Sequence, residues 1–420
     1  MTSYQPRLAI IGGGPAGLTL GRLLYSRGVH VTIYELRSKP SAEDLNKPCG
    51  VLDLHTESGL SAIRECGLWE DFVPLTGECG EQDKIYQYDG ELLLEDAADE
   101  SEEPKRPEIS RHALINLLMS NIPQDMIKWN HKVTAVTSRA VESGNTEITL
   151  DFVDQDKETF DFVIGADGAW SKARTLLTSV KPDYAGIQFI TLDIPSVGAK
   201  YPHMAKLLGE GTMMSLAFHN AILGQRGAGG AARIYLAIST PTEEFGVASG
   251  LGGMKAAEAK SLLLNDGGLF ARWTAAFQEI IAVGCDEATA TNPNDTLDIK
   301  PLYMLPVGHR WDAKTGVTLV GDAAHLMTPF AGEGVNLAMG DCQQLSAVIV
   351  KAVQAGNINA AEFQRTLEPL IKEFENTMLT RAGEKAEETW RNKGMMLDSD
   401  NGSAKLVELM AMYSSQADGH

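Results

Sequence analysis

The sequence predicts an α/β fold: a Rossmann-like domain, a second domain built on its own sheet, and a C-terminal helix. Three observations carry that expectation. A glycine-rich turn, Gly12-x-Gly14-x-x-Gly17, sits between an apolar strand-like run and an apolar helix-like run near the start of the chain. Asp167-Gly168 follows a second apolar run, and Gly321-Asp322 follows a third. Strand, glycine turn and helix in that order make a βαβ unit, the building block of a parallel sheet.

Residues 7–40, RLAIIGGGPAGLTLGRLLYSRGVHVTIYELRSKP, read as strand, turn, helix, glycine stop at Gly28, and strand. Gly12 permits the tight turn, Gly14 lets a pyrophosphate approach the backbone, and Gly17 lets the helix pack on the strand. Pro15 and Ala16 open that helix, whose N-terminus offers N–H groups and a partial positive charge to phosphate. Glu35 ends the second strand, where a carboxylate can take both hydroxyls of a ribose, with Arg37 beside it. These features point to a dinucleotide and leave NAD and FAD open. Further on, EISRHALINLLMSNI reads as a helix capped by Ser110, and alternating runs between residues 128 and 164 read as antiparallel strands. From about residue 184 to 299, β-like pieces (IQFITLDI, ARIYLAIST) mix with helices near residues 254–264 and 270–283, the mark of a second, sheet-based domain. An apolar strand at 317–320, a long helix from about 333 to 355 and a helical tail from 360 complete the chain. Residues 91–108, dense in acids with two prolines, read as a solvated connection.

The 420 residues are 44% hydrophobic and 22% charged, with a net charge of −20. That charge argues against nucleic acid, whose phosphates need clustered cations, and against docking on an anionic membrane. Five cysteines, scattered and odd in number, read as free thiols in a reducing compartment. None has zinc-like spacing, so no metal site is expected. The apolar stretch at residues 8–24 is broken by Gly12-Gly13-Gly14-Pro15 and lacks a basic leader, so it reads as folded structure. No apolar run reaches membrane-spanning length. A cytoplasmic monomer is the expectation.

Taken together, the glycine fingerprint, VIGADGAWSKAR (residues 163–174) and VTLVGDAAHLMTPFAGEGVN (residues 317–336) resemble the three-part pattern of the class A flavoprotein monooxygenases of the para-hydroxybenzoate hydroxylase type. CGVLDLHTESGLSAIRECGL, EISRHAL and GDAAHLMTPFAGEGVN are further similar to segments of the TetX-type tetracycline-inactivating enzymes. The resemblance implies an FAD-binding domain from residues 1–75, 105–180 and 300–355, a substrate domain from 76–104 and 181–299, and a helical segment at 356–420. It implies that Asp322 holds the ribityl chain, that Arg111 and Asp53 contact the cofactor, and that Asp167 serves the adenosine end. A ribityl-binding role also accounts for an aspartate at position 322 that the sequence places as buried. Pro329 would turn the chain beneath the isoalloxazine ring. Gly332, Gly334, Val335 and Asn336 would then aim a helix N-terminus at flavin N1 and O2, where the reduced ring is anionic.

The chemistry implied is that of the family. NADPH reduces FAD, O2 adds to give a C4a-hydroperoxide, and its distal oxygen passes to an electron-rich carbon of an aromatic or enolic small molecule, polyketide- or antibiotic-like. The flavin carries the reaction, so no catalytic side chain and no metal is expected; His325 is read as a packed or surface histidine, not a proton donor. No second nucleotide fold is expected for NADPH, because Gly227-x-Gly229 precedes a strand and reads as a glycine-rich hairpin or mobile loop. Where the TetX-type pattern has an arginine, seven residues before Asp53, this chain has Asn46 beside Lys47. Thr191, Thr212 and Ile234 stand roughly where that group's tetracycline-gripping Gln, Arg and His are expected, which disfavours tetracycline as substrate. Met213, Met214, Phe218 and Phe330, with Pro329 and Gly332, are expected to line an apolar pocket. A flavin halogenase is disfavoured because no Trp-x-Trp-x-Ile-Pro segment occurs. A flavoprotein dehydrogenase or reductase, and a non-catalytic protein that sequesters a polyketide, are the remaining alternatives.

Overall fold

The computed structural model describes residues 4–76, 80, 82–96 and 106–417. Five parallel strands form the first sheet, in the spatial order Ile127–Lys128, Thr32–Tyr34, Leu8–Ile11, Phe162–Gly165 and Val317–Leu319. In chain order that is 3-2-1-4-5, the Rossmann arrangement, with its switch point between the first and fourth strands. Leu8–Ile11, Phe162–Gly165 and Val317–Leu319 are buried at every position. That is why they read as unbroken apolar runs: a parallel sheet covered on both faces leaves no side of a strand for water. The helices Pro15–Ser26 and Gly334–Gln354 pack together over the sheet. The helix Arg111–Ser120 is capped as expected, with the Ser110 hydroxyl accepting the Ala113 N–H at 3.4 Å. The alternating runs after residue 128 form a three-stranded antiparallel sheet of Val133–Ala140, Thr146–Phe152 and Glu158–Phe160.

A second sheet has seven strands, in the order Asp298–Met304, Asp183–Ile194, Ala231–Ser239, Asn220–Gly227, Thr212–Ala217, Asp83–Tyr86 and Leu92–Asp96. Side chains alternate between its faces. Ile190, Leu192, Met213, Ile234 and Leu236 point to one face and join Phe277 and Ile281 of the helix Ala275–Thr291 in an outer core. Ile85, Ile187, Leu216, Phe189, Met214 and Leu223 point to the other face, toward Phe330.

Two expectations are corrected here. Residues 92–96 of the acidic stretch are not a solvated connection but an edge strand paired with Asp83–Tyr86; residues 97–105 lie outside the described residues. At the opposite edge, Asp298–Met304 pairs with Asp183–Ile194, so the second sheet extends past the boundary expected at residue 300. The acidic stretch misleads because Glu91, Glu95 and Asp96 flank the three leucines, as charges often do on an edge strand.

The helix Ala360–Leu397 spans 38 residues, about 57 Å at the usual rise. Phe363, Leu367, Ile371, Phe374 and Met378 enter the core of the first sheet, whereas Met396 and Leu397 enter the inner core of the second. The helix Gly402–Ala417 continues over that inner face through Leu406 and Leu409. Among the described residues no helix is long and apolar enough to cross a membrane.

Candidate active site

The glycine turn is shaped by close approach. Gly12 has φ of +109°, and a Cβ there would strike the Ala166 carbonyl of the next motif. A Cβ on Gly17 would strike the Gly12 carbonyl, so helix and strand meet without side chains between them. Gly14 differs, because nothing lies within 4 Å of a Cβ placed on it. It is also the N-cap of the helix that Pro15 opens, and no side chain caps that end. An uncapped helix start facing open space suits a phosphate. Glu35, only 6% exposed, accepts the Gly13 N–H at 2.7 Å and the Arg37 N–H at 3.0 Å. Each of its oxygens keeps a lone pair for a ribose hydroxyl. The Arg37 side chain is exposed.

Asp167 has both carboxylate oxygens taken up by its own turn: it accepts from the Ser171 hydroxyl at 2.6 Å, the Lys172 N–H at 2.6 Å and the Ala173 N–H at 3.4 Å. Burial nonetheless pushes its pKa upward. Its geometry is that of a residue that shapes the loop. Arg174, 4% exposed, reaches from this loop to the third motif and donates to the carbonyls of Ala169, Asp322 and Ala323, the last at 3.0 Å. The two motifs are thereby tied to one another at the carboxyl edge of the sheet.

The third motif departs from expectation in one respect. Asp322 is exposed at the start of the short helix Asp322–His325; the buried aspartate of this region is Asp341. Asp341, 0% exposed, accepts the Gly321 N–H at 3.1 Å, His325 Nε2 at 2.7 Å and Arg381 Nη2 at 2.7 Å. Of the packed and surface alternatives for His325 the structure shows the packed one, and Asp341 raises its pKa against the effect of burial. An exposed carboxylate at the strand's end can meet a ligand hydroxyl, whereas one sealed by three donors cannot.

Beyond Pro329, Gly332 turns the chain with φ of +67°. Gly334 then opens the helix Gly334–Gln354 with no side-chain cap, and a Cβ placed on it would meet nothing within 4 Å. This is a second uncapped helix start. Asn336, fully buried, locks it to the loop of Asp53: its side-chain oxygen accepts the His55 N–H at 2.8 Å and its amide donates to the Asp53 carbonyl at 3.0 Å. Val335 is partly buried beside it. Asp53 pairs with Arg106 at 2.9 Å and with His55 Nε2 at 3.1 Å. Arg111 begins its helix with the N–H bonded to the Gly50 carbonyl at 3.0 Å and its side chain exposed.

The substrate-side expectations divide. Phe330, Pro329 and Gly332 lie on the loop that leads into the helix Gly334–Gln354, and Phe330 packs with Phe189, Met214 and Leu223 of the inner sheet face. Met213 points the other way, 0% exposed in the outer core, so Met214 is the methionine on this face. Phe218 is also corrected: it occupies a tight turn with φ of +52°, packs on Tyr88 and Trp273, and lies under the Arg272 guanidinium. Thr191 and Tyr235 are cross-strand neighbours, and Tyr235 meets Phe189 at 5.7 Å. Ile234 is turned outward into the helix-covered core, so the inward residue at that place is Tyr235. Gly227 ends one strand of a hairpin whose next strand is Ala231–Ser239, as expected for that glycine cluster.

Sequence reasoning missed Arg106, His55, Asp83 and the Asp341 network. Asp83 sits on the inner-face edge near Asp96, Asp53 and Arg106, and burial with those acids pushes its pKa up to about 6. An unfolded aspartate titrates near its ordinary value, so the fold loses stability as pH rises from there through about 6, and the loss is complete above. Asp83→Asn should therefore raise the melting temperature at neutral pH and have a much smaller effect near about pH 4. Equal shifts at both pH values would remove the electrostatic explanation.

A Rossmann sheet with two uncapped helix starts, an open Gly14 and an exposed aspartate just past its edge strand Val317–Leu319 fits a flavin dinucleotide-binding fold, with a second sheet facing it. Residues 6–207 and 307–360 match the FAD binding domain family, and the chain belongs to it. It is 34% identical to the monooxygenase penA of Penicillium thymicola over 96% of this chain and 98% of that one. It is 33% identical to the monooxygenase asqM of Emericella nidulans over 92% of this chain and 94% of that one. Its fold is similar to that of the tetracycline destructase Tet(55), with a TM-score of 0.63 at 18% identity over 92% of this chain and 90% of that one. The chain is an FAD-dependent flavoprotein monooxygenase.

Proposed function

We propose that this monooxygenase takes its electrons from NADPH and inserts one atom of O2 into an electron-rich carbon of an aromatic or enolic small molecule, polyketide-like in character. The observation that carries the reading is the inner sheet face of Phe189, Met214, Leu223 and Tyr235, set against Phe330 of the loop that ends in Gly334. Such a face favours a flat, largely apolar ring. Bound FAD supplies the electron transfer and the activation of O2. Gly14 and the helix start at Pro15 would hold its pyrophosphate, Glu35 its adenosine ribose, and Asp322 its ribityl hydroxyls, with Asp53 and Arg111 flanking the site. The helix start at Gly334 would favour negative charge on the ring by its partial positive charge. Phe330 and the inner face would exclude water around the reacting carbon. The Tyr235 hydroxyl is kept protonated, since burial raises its pKa, and it is the hydrogen-bonding group of this face suited to a phenolic or enolic oxygen.

NADPH consumption measured against phenols, polyketides and tetracyclines, with peroxide read in parallel, tests the reading. A lightly decorated phenol or polyketide should couple NADPH to oxygenated product. Tetracycline should stimulate slow oxidation that releases mostly peroxide, because Thr191 and Thr212 stand where longer polar side chains would be needed and its unmatched polar groups would lose about 1–3 kcal/mol each. Fully coupled tetracycline hydroxylation would contradict the substrate class, and an absence of NADPH oxidation with every compound would contradict the proposal itself.

A further inference from the structure

We infer that one face of the helix Ala360–Leu397 sets the position of the loop 328–334, and that Lys385, Thr389 and Asn392 are positioning residues for oxygen transfer. The inference rests on the proposed reading for its chemical consequence and on geometry alone for the positioning. Arg381, Lys385, Thr389 and Asn392 are spaced by four, four and three residues and so share one side of the helix. All four bond to the segment that runs from the third motif into the next helix. Arg381 donates to Asp341 at 2.7 Å, and Lys385 pairs with Glu333 at 2.6 Å. The Thr389 hydroxyl donates to the Thr328 carbonyl at 2.7 Å, and the Asn392 amide donates to the Phe330 carbonyl at 3.0 Å.

The last two bonds hold the backbone on either side of Pro329. Thr389 and Asn392 are 0% and 3% exposed. A helix that only braced two sheets could do so with apolar side chains, as it does at Phe374, Met378 and Leu397. Burying a hydroxyl and an amide costs desolvation, which their bonds roughly offset, so these groups select one loop position more than they add stability. Glu333 also faces His55 Nδ1 at 3.6 Å. Gly332 lets the chain turn between the Asn392 and Lys385 contacts. The loop therefore has a defined place relative to the inner sheet face, and the helix is what defines it. The adenosine-side turn at Gly12 to Gly17 lies outside this set of contacts, so loosening the loop should leave dinucleotide affinity nearly intact.

The test compares Thr389→Val and Asn392→Leu with Thr389→Ser in the full chain. Hydrogen exchange on the apoprotein should quicken at 331–334 by about tenfold in the first two variants and remain normal in Thr389→Ser. FAD affinity, read by quenching of flavin fluorescence, should stay within about threefold of wild type. In the FAD-loaded enzyme, the fraction of NADPH electrons appearing as peroxide should at least double with the best-coupled phenol, and Thr389→Ser should restore coupling. Unchanged exchange at 331–334, or faster exchange spread evenly over the chain with a lowered melting temperature, would overturn the inference. If wild type oxygenates nothing, the proposed substrate chemistry fails, while the exchange data still decide whether the helix positions the loop.

Discussion

Asp341→Leu is expected to lose about 3–5 kcal/mol of stability in urea unfolding at neutral pH, the largest effect expected of any single substitution. Asp341 is buried completely and receives His325, Arg381 and the Gly321 N–H. Removing it leaves a cation and a backbone donor without a partner in a dry site. The loss should be smaller in His325→Leu/Asp341→Leu than the sum of the two single losses, because each single variant abandons the other's partner. The pair also has a pH signature. Asp341 raises the pKa of His325, so the protonated imidazole contributes fully below its unfolded value and the contribution fades as pH rises through the folded one. His325 and Arg381 hold the Asp341 carboxyl below its ordinary value against burial, so that contribution is lost as pH falls through the folded pKa. Wild type should thus be more stable relative to the double variant in mild acid than in alkali. A flat difference across pH would mean that packing, not charge, accounts for the network.

The second large effect is expected at Asp322. Replacing it with Ala removes an exposed carboxylate just past the edge strand Val317–Leu319, where ribityl hydroxyls would need an acceptor. Losing such a contact costs about 1–3 kcal/mol, or roughly a ten- to hundredfold weaker FAD dissociation constant. Because Asp322 is exposed, its loss should leave the melting temperature of the apoprotein nearly unchanged. Glu35→Ala and Arg111→Ala should weaken FAD as well, whereas neutralising Glu91, Glu95 and Asp96 should not. Wild-type affinity in Asp322→Ala would remove the third motif from the cofactor site.

The first domain was legible because its signals are local. The fingerprint glycines recur at fixed spacing within one strand–turn–helix unit, and parallel strands covered on both faces are apolar throughout. The second sheet was less legible because its meaning lies in which alternate residue faces inward. A shift of one residue exchanges the two faces, which is why Met213 was expected in the pocket alongside Met214, and why Ile234 rather than its neighbour Tyr235 was matched to the expected histidine. Phe218 was misplaced for a related reason: an aromatic next to a strand resembles a pocket residue until the hairpin turn is seen. Asp341 carries no local mark at all. Its partner Arg381 lies 40 residues away on another helix, and only the fold brings them together. Asp322 was expected to be buried because an aspartate that follows an apolar run shows its accessibility only in the fold.

The most direct measurement of the proposed reaction is the mass of the product formed under 18O2 with NADPH and the best-coupled phenol or polyketide. One labelled oxygen per product molecule, with NADPH consumed in equal amount, is the expected result. An unlabelled oxidised product, or NADPH oxidation that yields peroxide alone across the whole compound set, would contradict oxygen transfer to an aromatic or enolic carbon.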